Sequence, residues 1–341
     1  MSESNRFPKT LSPKENFECL LNNQLPEWIP LEGEWTDMVF SPWISFGWCD
    51  GDECKDPFGV EYVHYDKTKG PMPKPGVHMI DDLARWKELI VPYPDLDAMD
   101  WETLAAQETA HCDREHKIID YGIAGTSSGV LFNSIVNYMG HSAALEAMIT
   151  DEDAWHELMQ YMTDWWVKLI RYVNKYYHPD CFTVYEDVAT KTGLFMSPEM
   201  YRDMIKPYHK QLFDAIHEVD GVYANLHCCG LVDDIIPDWV EMGVRTWNPA
   251  QVQNDFDMIK RDYGKDLILV GGWDSQGEVG QSGASEELIR STVRKCIDRG
   301  AVGGGYVFGT SGMIDERWFQ DGRTEWIHDE WESYGYHYYN K

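Results

Sequence analysis

From about residue 117 onward, short β-branched or aromatic runs alternate with stretches of helical periodicity, the pattern of βα units around a parallel sheet. The longest helix is predicted to start near Asp151. Leu158, Met162, Trp165, Leu169, Val173 and Tyr176 recur along it at three-to-four-residue spacing, and the pattern stops before His178-Pro179. A strand follows at Cys181-Phe182-Thr183-Val184-Tyr185, then a helix opened by Ser197 as cap with Pro198 at its first position, then a strand over 222–226. Helices over 231–241, 256–263 and 286–299 lead in turn to strands over 244–247, 267–270 and 305–308.

This alternation suits either an open doubly wound sheet or a closed barrel. Gly303-Gly304-Gly305 precedes a strand instead of linking a strand to a helix, and Gly271-Gly272 lacks the rest of a phosphate loop, so the dinucleotide fingerprint is missing. The expected fold is therefore an α/β, TIM-type (β/α)8 barrel, one domain spanning 1–341, in which 117–341 supply the regular βα units. Residues 1–116 read as irregular lid or entrance segments, with Trp35, Trp43 and Trp48 and the run Pro71-Met72-Pro73-Lys74-Pro75-Gly76.

Composition narrows the partners. The chain carries 29 basic and 58 acidic residues, a formal charge of −29, which repels nucleic acid, anionic lipid and highly anionic substrates. No run approaches the roughly 18 apolar residues of a membrane span, and Met1-Ser2-Glu3-Ser4-Asn5-Arg6 is not a signal peptide, so a cytoplasmic protein is expected. The eight cysteines lack a disulfide-framework spacing and read as free thiols or ligands. Cys49 and Cys54, with acidic residues between them, could open a metal loop, but no second pair completes it. The 13% aromatic content suits a pocket for a flat ligand.

In a barrel the residues after each strand converge on one mouth. Here they are Glu186-Asp187, His227-Cys228-Cys229, Asn248, Trp273-Asp274 and Thr310-Ser311. Tyr185, Asn225, Asn248, Trp273, Asp274 and Thr310 are the candidate substrate contacts; the alternative is that such residues only cap the following helices. His227 and Cys229 lie two apart, so a persisting strand points both side chains the same way, as two ligands of one Zn²⁺ require. Cys228 then faces the wall, and Gly230 lets the backbone turn. Ordinary burial is the competing reading of His-x-Cys. Glu186 and Asp187 are adjacent carboxylates at a strand end, so only one faces the mouth; Glu186 is taken as ligand or proton donor and Asp187 as its support, against a structural role for both.

The stretch Asn225-Leu226-His227-Cys228-Cys229-Gly230, followed by Ile235-Ile236-Pro237, Gly243-Val244, Asn248-Pro249 and Gly271-Gly272-Trp273-Asp274, resembles the uroporphyrinogen decarboxylase superfamily. So do Asp56-Pro57-Phe58-Gly59-Val60, Glu186-Asp187 and Ser197-Pro198-Glu199-Met200-Tyr201 with Lys206-Pro207. The resemblance covers most of the chain and implies a TIM-type barrel. The Arg-Gln-Ala-Gly-Arg-Tyr-like segment with which the decarboxylases grip substrate carboxylates has no match here. Another branch of the superfamily moves methyl groups to the cobalt of a separate corrinoid protein and binds zinc through His-x-Cys and a later Cys. His227 and Cys229 match the first two of these positions, but Phe308-Gly309-Thr310-Ser311-Gly312 stands where thiol-methylating members have Cys.

A Zn²⁺ held by His227, Cys229 and the carboxylate of Glu186 would be a harder Lewis acid, suited to an ether oxygen. The resemblance thus implies a corrinoid-dependent methyltransferase, the first component of an anaerobic O-demethylase. It would pass a methyl group from a methoxylated aromatic to cobalt(I) of a partner corrinoid protein, with Glu186 and Asp187 as catalytic groups. The rival expectations are a decarboxylase of a small carboxylated substrate and a non-catalytic barrel that binds a tetrapyrrole or corrinoid. No flavin, nicotinamide or resident cobalamin is expected, and the oligomeric state, a homodimer included, is left open by the sequence.

Overall fold

The computed structural model describes residues 9–44, 53–64, 71–125, 129–310 and 322–339. These fall into two compact units: a larger one of Met38–His111 with Ile119–Asn248, and a second of Met1–Asp37, Cys112–Ile118 and Pro249–Lys341.

The larger unit holds all but the end residues Ile118, Pro249 and Ala250 of four parallel strands, β1 (Ile118–Ile123), β2 (Cys181–Tyr185), β3 (Tyr223–His227) and β4 (Val244–Ala250), paired in chain order. Their register places Thr183 beside Asn225 and Tyr185 beside His227, while Thr246 and Asn248 on β4 stand next to Asn225 and His227. Because side chains alternate along a strand, two kinds of surface result. Phe182, Val184, Ala224 and Leu226 are at most 1% exposed and form one apolar face. Asp120, Thr183, Asn225 and Thr246 share the other face, joined by side-chain hydrogen bonds, with Tyr185, His227 and Asn248 in the next layer toward the strands' carboxyl ends.

Helices follow the strands. After β1 come α1 (Phe132–Met139) and, beyond a helix at His141–Thr150, α2 (Glu152–Tyr176). The long helix has Glu152 and Asp153 in its first turn, complementing the helix dipole. Its stripe Trp155, Leu158, Met159, Met162, Trp166, Leu169, Ile170 and Val173 is fully or almost fully buried, each large side chain contributing about 1.5–3 kcal/mol of burial free energy. After β2, Ser197 caps α3 (Pro198–Met204), its side chain accepting from the Met200 N–H. The chain then restarts as α4 (Lys206–Ile216), which packs on α2. Pro207 explains the break: it lacks an N–H and fits only a first turn. The same rule corrects the helix expected over 231–241, because Pro237 limits the α-helix to α5 (Ile236–Glu241), entered through a 3₁₀ turn at Asp233–Ile235. The N-terminal third, expected to be irregular, contains a three-stranded antiparallel sheet of Glu53–Lys55, Glu61–His64 and Pro71–Pro73. Its strands are too short and too proline-rich to show an alternation.

In the second unit, β5 (Ile268–Gly272) and β6 (Tyr306–Gly309) are parallel, and Leu31 bridges to Phe308 beside them. The associated helices are α6 (Phe256–Tyr263), α7 (Glu286–Gly300) and α8 (Arg323–Glu330). Gly303, Gly304 and Gly305 all have positive φ and make the sharp turn from α7 into β6. Among the described residues no helix is long and apolar enough to cross a membrane.

Candidate functional site

Three side chains meet where β2 and β3 end. An oxygen of Asp187, a ring nitrogen of His227 and the sulfur of Cys229 all lie within 4.8 Å of one another. The Cys229 sulfur stands 3.9 Å from His227 Nε2, and the Cys229 backbone N–H donates to Asp187 Oδ1 at 2.6 Å. Tyr185 stacks on the His227 ring, with centroids 4.7 Å apart, and Phe40 is tilted against Tyr185. Cys228 turns into the wall and is fully buried.

Gly230 makes this turn. Its φ is +109°, and a Cβ there would meet Ala189 Cβ at 2.6 Å and Thr190 O at 2.8 Å. The next residue, Leu231, donates its N–H to that same Thr190 carbonyl, so the segments following β2 and β3 are laced together behind the three side chains.

Burial lowers the basicity of His227, with the charge of Asp187 opposing that effect, so the imidazole is neutral and keeps a lone pair. Burial and the neighbouring Asp187 push the Cys229 thiol up to about 12. A carboxylate and a sulfur forced together resist sharing negative charge, and a cation between them relieves that conflict. The donor set of one oxygen, one nitrogen and one sulfur fits a zinc ion.

Glu186 does not join the three. Its Oε2 accepts the Leu131 N–H at 2.7 Å and its Oε1 the Asn133 N–H at 2.8 Å, so it sits against the amino end of α1. It is 1% exposed, with His209 Nε2 3.6 Å from Oε2. Glu186 is the carboxylate expected from the sequence beside His227 and Cys229, whereas in the structure Asp187 stands there. Strand parity carries the reason: Thr183, Tyr185 and Asp187 alternate onto the face that Asn225, His227 and Cys229 occupy. Asn133 is a residue that sequence reasoning missed. Its side-chain oxygen accepts the Asp187 N–H at 2.9 Å while its own N–H binds Glu186, and no motif marks it because α1 brings it from far along the chain.

The candidate substrate contacts divide between the units. Tyr185, Asn225 and Asn248 lie in the larger unit, and Asn225 is buried with its amide bonded to Thr183, Thr246 and Asn248. Trp273, Asp274 and Thr310 lie in the second unit. There Trp273 is buried and packs edge-on against Phe308, and the Asp274 carbonyl accepts from Gly277 in a turn. Ser311, Gly312, Trp48 and Cys49 fall outside the described residues. Cys54 is in a disulfide, which corrects the expectation of free thiols for that residue; Cys19, Cys112, Cys181, Cys228, Cys229 and Cys296 are not disulfide-bonded.

Residues 58–314 match uroporphyrinogen decarboxylase (URO-D). The chain belongs to the URO-D family. Its fold class is accordingly the TIM-type α/β barrel. No curated protein matches the chain. Among solved structures, a methyltransferase from Methanosarcina mazei is similar, with a TM-score of 0.60 and 10% identity, the likeness covering 95% of this chain and 99% of that one. At that identity the similarity is one of fold.

Proposed function

We propose that this URO-D family member is a metal-assisted methyltransferase that passes a methyl group from a methoxylated aromatic to cobalt(I) of a separate corrinoid protein. The observation that carries the reading is the meeting of Asp187, His227 and Cys229 at the ends of adjacent strands. The similarity in fold to a methyltransferase from Methanosarcina mazei supports it.

In this reading Asp187, His227 and Cys229 hold Zn²⁺, which when bound supplies Lewis acidity to an ether oxygen. The chain's own residues do the rest. Asp187 is fixed at both ends, its N–H on Asn133 and its carboxylate on the Cys229 N–H, so the ligand set is held in place before substrate arrives. Tyr185 stacks on the imidazole and holds the ring in its orientation. Glu186 anchors the amino end of α1, which carries Asn133. Its carboxylate acts through that anchor and not on the reacting atoms.

The test is incubation of zinc-loaded protein with 4-methoxybenzoate and cobalt(I) cobalamin, following the absorbance of methylcobalamin. Formation of methylcobalamin that is lost in His227→Ala supports the reading. Absence of methylcobalamin across a panel of methoxylated aromatics rejects it.

A further inference from the structure

A chain of buried polar side chains runs across the four strands of the larger unit beneath the site. The Thr183 hydroxyl donates to Asp120 Oδ2 at 2.6 Å, and Asn225 Nδ2 donates to Thr183 Oγ1 at 2.9 Å. Thr246 donates to Asn225 Oδ1 at 2.8 Å, and Asn225 Nδ2 also reaches Asn248 Oδ1 at 3.0 Å. Asp120, Thr183, Asn225 and Thr246 are each at least nine-tenths buried, while Asn248 is only partly buried in the layer of Tyr185 and His227.

The chain has a direction, and Asp120 sets it. An ionised carboxylate only accepts, so the single hydroxyl proton of Thr183 goes to Asp120. The Thr183 oxygen is then left as an acceptor for Asn225, which must present its NH₂ on that side. Its carbonyl oxygen accordingly faces the Thr246 hydroxyl, and its second N–H points at Asn248. Asn248 must answer with oxygen. The NH₂ of Asn248 is thereby turned away from Asn225. Burial lifts the Asp120 carboxyl to about 6, so at neutral pH it is ionised and the direction holds.

We infer that Asn248 is the hydrogen-bond donor that selects the substrate, and that Asp120, through Thr183 and Asn225, is the positioning residue that fixes its orientation. The inference rests on the proposed methyl transfer for its choice of ligand, and it specifies a substrate with an acceptor atom at the reacting end. Asn248 stands in register beside His227, so the acceptor it would meet is one presented next to that ring. An ether oxygen meets this requirement; a methylene of the same size does not, and leaves a donor unpaired.

The probes are 4-methoxybenzoate and 4-ethylbenzoate, near-isosteres that differ in oxygen against methylene, with binding measured by calorimetry at pH 7.5. The parent protein is expected to prefer the ether by about tenfold. Asn248→Leu should bring the ratio to about one, and Asn248→Asp, which offers only acceptors, should bring it to one or below. Thr183→Val should reduce the preference with zinc content unchanged, because it frees Asn225 and Asn248 to rotate. A ratio that stays at the parent value in Asn248→Leu and Asn248→Asp overturns the inference, as does failure of the parent to bind or distinguish the pair. Methylcobalamin formation is read on the same samples. Methyl transfer with an unaltered ratio in the variants removes Asn248 and leaves the methyltransferase reading standing. An Asn248-dependent ratio without methyl transfer removes that reading and retains the donor.

Discussion

Glu186→Gln separates an anchoring carboxylate from a reacting one. Both Glu186 oxygens accept backbone N–H groups, from Leu131 at 2.7 Å and Asn133 at 2.8 Å, at the amino end of α1. Glutamine has only one acceptor oxygen, so its NH₂ must face one of these donors at a site that is 1% exposed. Losing one charge-assisted hydrogen bond costs about 1.5–3 kcal/mol. Removing the negative charge from a partly buried helix amino end costs up to about 2 kcal/mol more. The sum is on the order of 3 kcal/mol, which for a chain of this size lowers Tm by about 4 °C. Activity should fall only about tenfold, through looser placement of Asp187 by Asn133. A proton-donating Glu186 has a different signature: with no charge removed, the exchange for an amide lowers Tm less, while the rate falls by about 10² to 10⁴. Differential scanning calorimetry and the methylcobalamin assay on one preparation decide. An unchanged Tm with a hundredfold or greater loss of rate would refute the anchoring argument.

Three further outcomes follow from the same geometry. Asp187→Asn should lose zinc while Glu186→Gln retains it, measured by plasma emission on dialysed protein; equal zinc in parent and Asp187→Asn removes Asp187 from the ligand set. Gly230→Ala must adopt a φ of +109° against backbone and side-chain atoms of Ala189 and Thr190, and should cost about 3 kcal/mol or more in chemical denaturation. Asp120 has a folded pKa raised by burial from 3.8 to about 6, so the protein takes up more protons than the unfolded chain between those values. Its contribution to stability is present below pH 3.8 and is lost as pH rises through about 6, for a change on the order of 3 kcal/mol. Asp120→Asn should therefore gain stability relative to the parent between pH 4 and pH 7, and a difference that does not vary with pH contradicts the assignment.

Period and punctuation made much of the fold legible. The strand expected at Cys181–Tyr185 and the helix at Phe256–Tyr263 match the structure, and Ser197-Pro198 marks a true helix start. Local signals failed where proline restarted a helix, at Pro207 and Pro237, and where three short strands paired only with one another. The candidate site was legible in part. The period of two that pairs His227 with Cys229 also pairs Tyr185 with Asp187, and so points to Asp187 beside them. Glu186, the expected ligand, stands one position out of that period. Asn133 and Asp120 carried no local signal, since each acts through a tertiary contact with a residue more than fifty positions away.

Zinc K-edge X-ray absorption on the protein purified under reducing conditions tests the central claim most directly. With Asp187, His227 and Cys229 as the protein ligands, the spectrum should show one sulfur scatterer at about 2.3 Å together with imidazole and oxygen scatterers at about 2.0–2.2 Å. The sulfur shell should disappear in Cys229→Ser. A parent protein that binds no zinc, or one whose zinc shows two or more sulfur neighbours, would contradict the site described here.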